Sequence, residues 1–170
     1  MGIGQLASHL EMRDHAIINK VISLLYGEQP QAGFTMSGHL KYVEGNLGSG
    51  QGWHRDSVNN DQFKSITFLS DVDSSAGPFQ YYLRTASTRS MQACEKRYGI
   101  SSTANRITVD PKCLLPKTRF VELMAKAGTL VFVNTRAIHR GKPIEVGERF
   151  ALTTYHWKRT IPAHIQKIVN

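Results

Sequence analysis

The first part of the chain carries apolar side chains at helical spacing. They recur at steps of three, four and seven residues: Leu6, Leu10, Ile17, Val21, Leu24 and Leu25. Ser8 is a candidate early cap, and Gly27 with Pro30 ends the pattern. We therefore predict an N-terminal helical segment within residues 1–30, packed on the outside of a core.

From residue 39 the apolar pattern changes to a period of two, which is typical of strands. Short β-branched and aromatic runs are separated by turn residues, and they lie at 39–44, 64–71, 79–83, 120–124, 129–133 and 149–157. Many short strands after one clear helix favour an antiparallel sandwich or barrel over alternating strands and helices. We place the core of this β structure at residues 39–157.

Two segments depart from the strand pattern. The glycine-rich stretch GNLGSGQG (45–52) lacks the Lys-Ser/Thr ending of a phosphate-binding loop. We interpret it as a flexible turn that lets the backbone approach a site. The irregular segment 84–118 carries much of the basic excess, and we predict that it is an insertion facing the substrate.

Composition excludes several classes of protein. The 170 residues are 41% hydrophobic and 20% charged, which is typical of a globular domain. No apolar run approaches the roughly 20 residues of a membrane span, and the first residues do not form a secretion signal. Because Cys94 and Cys113 lack metal-like spacing, we expect free thiols and a cytoplasmic location. We treat the whole chain as one domain.

The net charge is +8, with eight basic residues against three acidic ones between Arg89 and Lys126. Such a charge favours an anionic partner, for example a phosphate, a nucleotide or a nucleic acid. The alternative is a solvated basic surface without a ligand.

Three residues have the chemistry of an iron site. His54 and Asp56 are two positions apart, and on a strand both side chains would point to the same face. His139 follows a strand that the pattern predicts to be buried. Two imidazoles and one carboxylate form the facial triad that holds Fe(II) and leaves positions open for a cosubstrate and O₂.

Arg149 lies ten residues after His139, at the start of the last predicted strand. Its planar guanidinium suits bidentate binding of the far carboxylate of an iron-bound cosubstrate. Thr153 shares its strand face and offers a hydroxyl to the same carboxylate. The alternative for Arg149 is a surface ion pair with Glu145 or Glu148.

Three stretches of the chain resemble the phytanoyl-CoA dioxygenase-like group of Fe(II)/2-oxoglutarate-dependent oxygenases. They are GWHRDS (52–57), FKSITFLSDVDSSAGPFQYY (63–82) and AGTLVFVNTRAIHRGKPIEVGERFALTTYHW (127–157). The resemblance implies a mainly β, double-stranded β-helix fold (a cupin-like jelly roll) with an N-terminal helix and flanking helical segments. It also implies a dioxygenase that hydroxylates its substrate while 2-oxoglutarate becomes succinate and CO₂, with ascorbate as an accessory reductant.

The resemblance assigns roles to individual residues. It implies that His54, Asp56 and His139 bind iron and that Arg149 binds the C5 carboxylate of 2-oxoglutarate. Tyr42 and Thr67 are expected to line the cosubstrate pocket. The chain departs from related sequences at Gly141, where they often have serine, and at Ala151, where other branches have serine.

The substrate is expected to be a small or carrier- or sugar-linked anionic metabolite. The residues expected to contact it, from position and charge, are Tyr81, Tyr82, Arg84, Arg89 and Arg136. Two alternatives stay open at this point. One is an oxygenase directed at nucleic acid, and the other is a cupin-like metal-binding protein without O₂ chemistry.

Overall fold

The computed structural model describes residues 15–30, 32–56, 62–113 and 115–169. Its first element is helix α1 (Ala16–Tyr26). Nδ1 of His15 accepts a hydrogen bond from the backbone N–H of Ile17 (3.3 Å), and Gly27 ends the helix with a left-handed φ of 78°. The predicted helix and its end at Gly27 are confirmed, whereas residues 1–14 of that prediction lie outside the described residues.

The face that α1 buries differs from the predicted one. Ile18 and Ile22 are fully buried and pack on Phe63, whereas Ile17 and Leu24 are 65% and 77% exposed. Apolar residues surround this helix on most sides, so their spacing could not decide which stripe faces the core. The expectation that the helix packs outside a core is confirmed.

Two antiparallel sheets follow the helix. The first has the strand order β1–β7–β2–β5, with β1 at Ala32–Lys41, β2 at Gln62–Phe68, β5 at Leu130–Val133 and β7 at Glu148–Trp157. The second has the order β4–β3–β6, with β3 at Phe79–Tyr82, β4 at Phe120–Leu123 and β6 at His139–Gly141. This mainly β architecture confirms the predicted jelly-roll class.

Two strands were not placed correctly by the sequence pattern. Strand β1 begins at residue 32 instead of 39, and β6 was not predicted. The sequence AGFTMSG at the start of β1 shows no clean alternation, and its strand structure comes from continuous pairing with β7, from Ala32 opposite Trp157 to Lys41 opposite Glu148. β6 is only three residues long, so it offers no period to detect.

The two faces of the four-stranded sheet have different neighbours. On the outer face, α1 packs against Phe63. On the inner face, Ile66, Phe68 and Ala151 join Phe79 of the second sheet in one buried cluster. Because side chains alternate along a strand, residues of odd and even number on β7 belong to different environments.

Segment 84–118 contains helix α2 (Thr88–Tyr98) and a short 3₁₀ turn at Pro111–Cys113. A second 3₁₀ turn follows at Lys117–Arg119. Met91 and Cys94 of α2 are buried in a cluster that includes Trp53 and Tyr82. This segment therefore builds part of the core, which its basic composition did not indicate.

Cys94 is buried and Cys113 is exposed, and both are free thiols as predicted. Helix α3 (Ala163–Val169) follows the last strand. None of the helices in the described part of the chain is both long and apolar enough to cross a bilayer.

Candidate metal centre and adjoining cavity

His54 and His139 lie side by side because their backbones pair directly. The backbone N–H of each residue donates to the carbonyl of the other, both at 2.9 Å. Their imidazole ring centres are 4.2 Å apart. Strand β6 supplies His139, whereas His54 belongs to an isolated bridge and not to a regular strand.

The carboxylate of Asp56 faces both imidazoles. Its Oδ1 lies 3.4 Å from Nε2 of His54, and its Oδ2 lies 3.7 Å from Nε2 of His139. The backbone N–H of Asp56 donates to the carbonyl of Thr135 (3.0 Å), which fixes the chain at this point. One ligand atom from each of the three residues lies within 4.8 Å of the others.

His54 and Asp56 share a face, but not because they lie on a strand as predicted. No regular strand carries His54 and Asp56, since only His54 forms a bridge and the chain bends at Asp56. The side chains of residues 54–56 nevertheless alternate in direction, because Arg55, which is 2% exposed, points away from the site. Its guanidinium donates to the carbonyls of Arg136 (2.7 Å) and Ser102 (2.6 Å).

Backbone carbonyls orient both imidazoles for metal binding. Nδ1 of His54 bonds the carbonyl of Gly52 (2.9 Å), and Nδ1 of His139 bonds the carbonyl of Ala137 (2.8 Å). Since a carbonyl only accepts, Nδ1 of each ring carries a proton, and in the neutral ring Nε2 then has a lone pair. This is the second contact that metal-binding histidines usually make.

The environment of Nε2 of His139 suits a metal ligand. Its Nε2 is buried and has no hydrogen-bond partner among the described residues. Burial lowers the pKa of His139 to about 3, so the ring is neutral at physiological pH. A buried lone pair without a donor is costly unless a cation accepts it, and an Fe(II)-type ion would do so with His54 and Asp56 as the other ligands.

Lys64 is a charged neighbour that the sequence analysis missed. Its ammonium lies 2.5 Å from Oδ2 of Asp56 and 4.3 Å from the ring centre of Tyr155. Burial by itself would lower the pKa of Lys64, but Tyr155 and Asp56 raise it above its ordinary value. Lys64 shares strand parity with Ile66, so a lysine on the core-facing side of β2 was the available signal.

The pKa of Asp56 is shifted in the opposite direction to that expected from burial. Burial favours the neutral acid, but Lys64 and the two histidines hold the pKa of Asp56 well below its ordinary value. The group is therefore a carboxylate, as metal binding requires.

The triad opens onto a cavity of about 310 Å³. Its apolar walls come from the inner faces of both sheets and include Met36, Leu40, Ile66, Phe68, Phe79 and Ala151. Polar groups in the same cavity include Ser49, Lys64, Arg106, Arg149, Thr153 and Tyr155. Mostly apolar walls with a few convergent polar groups are typical of small-molecule sites.

Arg149 of β7 is 5% exposed and lines this cavity. Its Nη2 donates to the hydroxyl of Ser49 (3.2 Å), and its Nε has no partner among the described residues. The surface ion pair considered for Arg149 is not formed. Glu145 pairs with Lys142 at 2.8 Å, and Glu148 pairs with His39 at 2.7 Å. Burial lowers the pKa of Arg149 to about 10, so it remains a cation at neutral pH.

The glycine-rich stretch approaches the site as expected. Gly50 has a left-handed φ of 82°, and a Cβ at this position would overlap the imidazole of His54. Both the left-handed backbone and the contact with His54 therefore favour glycine at position 50. The carbonyl of Gly50 also accepts a hydrogen bond from Arg106, which lines the cavity.

Of the three additional cofactor residues, only Thr153 lines the cavity. The expectation for Thr67 is wrong, because Ile66 and Phe68 face the cavity and Thr67 lies on the opposite face of β2. The expectation for Tyr42 is also wrong. It follows the end of β1 and is 56% exposed.

The residues expected to contact substrate do not line this cavity. Tyr82 is 1% exposed within the core, and the hydroxyl of Tyr81 donates to a backbone carbonyl at 3.0 Å. Arg84 and Arg89 are exposed, and the carbonyl of Arg136 binds the guanidinium of Arg55. The cations that line the cavity are Lys64, Arg106 and Arg149, of which only Arg149 was predicted, from its position after His139 and not from the basic charge.

Comparison with known proteins gives a structural likeness only. No family model matches the sequence, and no curated protein is detectably similar to it. Among solved structures, the fold is similar to the non-haem α-ketoglutarate-dependent epimerase SnoN from nogalamycin biosynthesis. The identity is 13% and the TM-score 0.57, over 89% of this chain and 58% of SnoN.

Two further structures support the same likeness. SnoN in complex with Fe³⁺, α-ketoglutarate and nogalamycin RO matches at a TM-score of 0.58 and 15% identity, over 87% of this chain and 57% of that one. An oxidoreductase of the 2OG-Fe(II) oxygenase family from Burkholderia pseudomallei matches at 0.53 and 13%, over 88% and 56%.

The chain therefore shares its fold with these solved structures. It spans just under three fifths of the length of these neighbours, with 56–58% of each covered. Identity this low does not distinguish subgroups, so the phytanoyl-CoA dioxygenase-like assignment stays a prediction.

Proposed function

We propose that this protein is an Fe(II)- and 2-oxoglutarate-dependent dioxygenase. The observation that carries the proposal is that two buried polar groups without partners, Nε2 of His139 and Nε of Arg149, line one cavity. The first is a lone pair that a cation can accept, and the second is an N–H of a buried guanidinium that an anion can accept. Iron and a dicarboxylate cosubstrate satisfy both groups together.

Separate residues would bind the metal and the cosubstrate. His54, Asp56 and His139 would hold iron through two neutral nitrogens and a carboxylate. With 2-oxoglutarate and O₂, such iron supplies oxidative decarboxylation to succinate and CO₂, coupled to oxidation of a substrate. Arg149 would hold the far carboxylate of 2-oxoglutarate, and Thr153 stands on the same strand face to assist it.

Lys64 has a positioning role in this proposal. Its ammonium contacts Oδ2 of Asp56 at 2.5 Å, while Oδ1 faces His54. The contact would hold the carboxylate through Oδ2 and leave Oδ1, which faces His54, to bind a metal. Apolar walls around the triad limit the access of bulk water to the reacting groups.

The charge of the cavity supports a small anionic substrate. Lys64, Arg106 and Arg149 line it, against a single described carboxylate, Asp56. Positive charge within low-dielectric walls raises the local concentration of anions. The epimerase SnoN, with which the chain shares its fold, has been solved with nogalamycin RO, and this is consistent with a small-molecule substrate.

The first experiment is an anaerobic titration of Fe(II) and 2-oxoglutarate. We expect a weak charge-transfer band at roughly 500–530 nm, since chelation of iron by a keto acid gives such a transition. The Arg149→Ala variant should bind iron normally but require far more 2-oxoglutarate for the same band. Absence of the band from folded, iron-loaded protein would contradict the proposal and favour a cupin-like metal-binding role.

The reaction outcome needs a separate experiment. Small carboxylated and phosphorylated compounds are screened for faster formation of succinate, with a duplex DNA and a single-stranded RNA as comparison substrates. For a compound that stimulates turnover, ¹⁸O₂ is supplied and the product is analysed by mass spectrometry. Hydroxylation predicts one ¹⁸O atom in the product, whereas an unlabelled stereoisomer would indicate epimerisation instead.

A further inference from the structure

The glycine-rich loop 45–52 is fitted against strand β6. The backbone N–H of Gly141 donates to the carbonyl of Ser49 at 3.1 Å. Gly48 is buried with a left-handed φ of 97°, and a Cβ there would overlap the carbonyl of Gly141. A glycine at 48 therefore lets the loop backbone lie directly on β6, which makes the loop a fixed wall of the cavity.

This wall places the side chain of Ser49 next to Arg149. The Ser49 hydroxyl accepts a hydrogen bond from Nη2 of Arg149 at 3.2 Å, and Ser49 lines the cavity. A hydroxyl that accepts one bond still has a proton to donate. In the described part of the chain, no acceptor takes that proton.

Strand β6 leaves room for this hydroxyl by having a glycine at the adjacent position. A Cβ built on Gly141 would overlap the hydroxyl oxygen of Ser49 and would lie 3.2 Å from Nη2 of Arg149. The backbone of Gly141 does not need a left-handed φ, so steric room is the reason for glycine here. Ser49 thus occupies the place that a side chain from position 141 would take.

We infer that Ser49 of the glycine-rich loop is a binding residue for the far carboxylate of the cosubstrate, acting together with Arg149. The inference rests on the function proposed above. The guanidinium supplies charge and the hydroxyl donates its free proton to the same carboxylate, so two donors from distant parts of the chain form one anion site. Loop 45–52 is then part of the cosubstrate site and not only a turn before His54.

The first test measures binding of 2-oxoglutarate to Ni(II)-loaded protein by calorimetry, since Ni(II) occupies such sites without turnover. Ser49→Ala should weaken 2-oxoglutarate binding roughly 10-fold, the typical effect of losing one hydrogen bond to a charged group. Ni(II) affinity should stay unchanged. Binding of 2-oxobutyrate, which has the keto-acid end but no far carboxylate, should also stay unchanged.

The second test moves the hydroxyl from the loop to β6. The Ser49→Gly/Gly141→Ser protein removes one side chain and grows the other into the same space. Its matched control is Ser49→Gly/Gly141→Ala, which differs by one oxygen atom. Glycine is used at 49 because Cβ of Ser49 lies only 3.1 Å from a Cβ at 141. The serine version should recover most of the affinity for 2-oxoglutarate, and the alanine version should not.

The outcomes separate the two proposals. If native protein binds no 2-oxoglutarate, the proposed function fails and the Ser49 inference fails with it. If native protein binds it and Ser49→Ala binds it equally well, only the Ser49 inference is overturned. Equal affinity of the two double variants would likewise overturn it, because a merely structural loop contact would not depend on one oxygen atom.

Discussion

Buried polar groups lie on both sides of the four-stranded sheet, but they are not alike. On the outer face, Nε2 of His156 bonds the hydroxyl of Ser65 (3.0 Å). In the cavity, Nε2 of His139 and Nε of Arg149 have no partner among the described residues. Burial alone therefore does not mark a site in this protein. The two unpartnered groups in the cavity mark the candidate site, because a ligand bound there would remove the cost of burying them.

His139 and His156 are both deeply buried histidines. They are 2% and 1% exposed, and burial lowers their pKa values to about 3 and about 4. Both rings are therefore neutral at physiological pH. The two histidines differ in what surrounds Nε2: that of His156 bonds the Ser65 hydroxyl, whereas that of His139 has no hydrogen-bond partner among the described residues and faces Asp56.

The largest expected effect is on metal binding. His139→Ala should weaken binding of Mn(II), used as an air-stable probe, by at least about 100-fold, because a ligand loss should exceed the effect of a second-shell change. Calorimetry or competition with a coloured chelator measures it. His156→Phe is the control and should bind Mn(II) like the native protein. Equal losses in both variants would mean that His139 is no more a metal ligand than His156.

Removing Arg149 should separate ligand binding from stability. Arg149→Met should weaken 2-oxoglutarate binding by about 100-fold, since an anion would be left without its buried counter-charge. The free energy of unfolding of metal-free protein should stay the same or rise, because a buried guanidinium without a carboxylate is costly. Urea denaturation checks this. A marked loss of stability would show that Arg149 serves the fold.

Lowering the pH should destabilise the protein, because burial lowers the pKa of His156. The folded protein holds the ring neutral down to about pH 4, whereas the unfolded chain binds a proton near 6.5. The unfolded state then carries more protons, so stability should fall as pH drops from about 6.5 to 4, by up to about 3 kcal/mol.

The measurement is urea denaturation of metal-free protein across this pH range. His139 contributes with the same sign, so the difference between native protein and His156→Phe isolates His156. A variant with the same pH slope as the native protein would contradict the assignment.

At pH 7.5, removal of one partner of the His156–Ser65 hydrogen bond should lower stability. His156→Phe should lower the free energy of unfolding by about 1–3 kcal/mol, because it leaves the Ser65 hydroxyl buried and unpaired. Replacing both partners in Ser65→Ala/His156→Phe should reduce that loss. Chemical denaturation measures both, and a larger loss in the double variant would argue against the pair.

The smallest effect is expected at the outer pair Thr35 and Thr154, whose hydroxyls lie 2.8 Å apart. Thr154→Val should lower stability by about 1 kcal/mol, and Thr35→Val/Thr154→Val by less. Binding of metal and 2-oxoglutarate should not change. Any change in ligand affinity would mean that the two faces of the sheet are coupled.

Much of the core was predictable because its signals are local. The strands at 79–83, 120–124 and 149–157 were placed within a residue or two of their observed bounds, since alternating β-branched and aromatic residues act over short distances. The same parity argument correctly placed Thr153 on the cavity face with Arg149.

Errors arose where the deciding contact is distant in sequence. Tyr42 was expected in the pocket from the family resemblance, as a residue of the strand before the iron motif, but pairing with β7 shows that this strand ends at Lys41. Thr67 was also expected in the pocket from the resemblance. It is adjacent to Ile66 on β2, so its side chain lies on the opposite face of the strand from the cavity. Helix α1 buries Ile18 and Ile22 because of the surface it meets.

Residue types in the chain identify the side chains that can bind iron and the cation that can hold a carboxylate, because residue type sets that chemistry. The alternation of apolar and polar positions also indicates the β class, because alternation is a local property of strands. Which polar groups are left without partners depends on three-dimensional packing. That packing pairs Lys64 with Asp56 and places Ser49 between Gly141 and Arg149. Such contacts depend on how distant segments pack, and no local pattern encodes that.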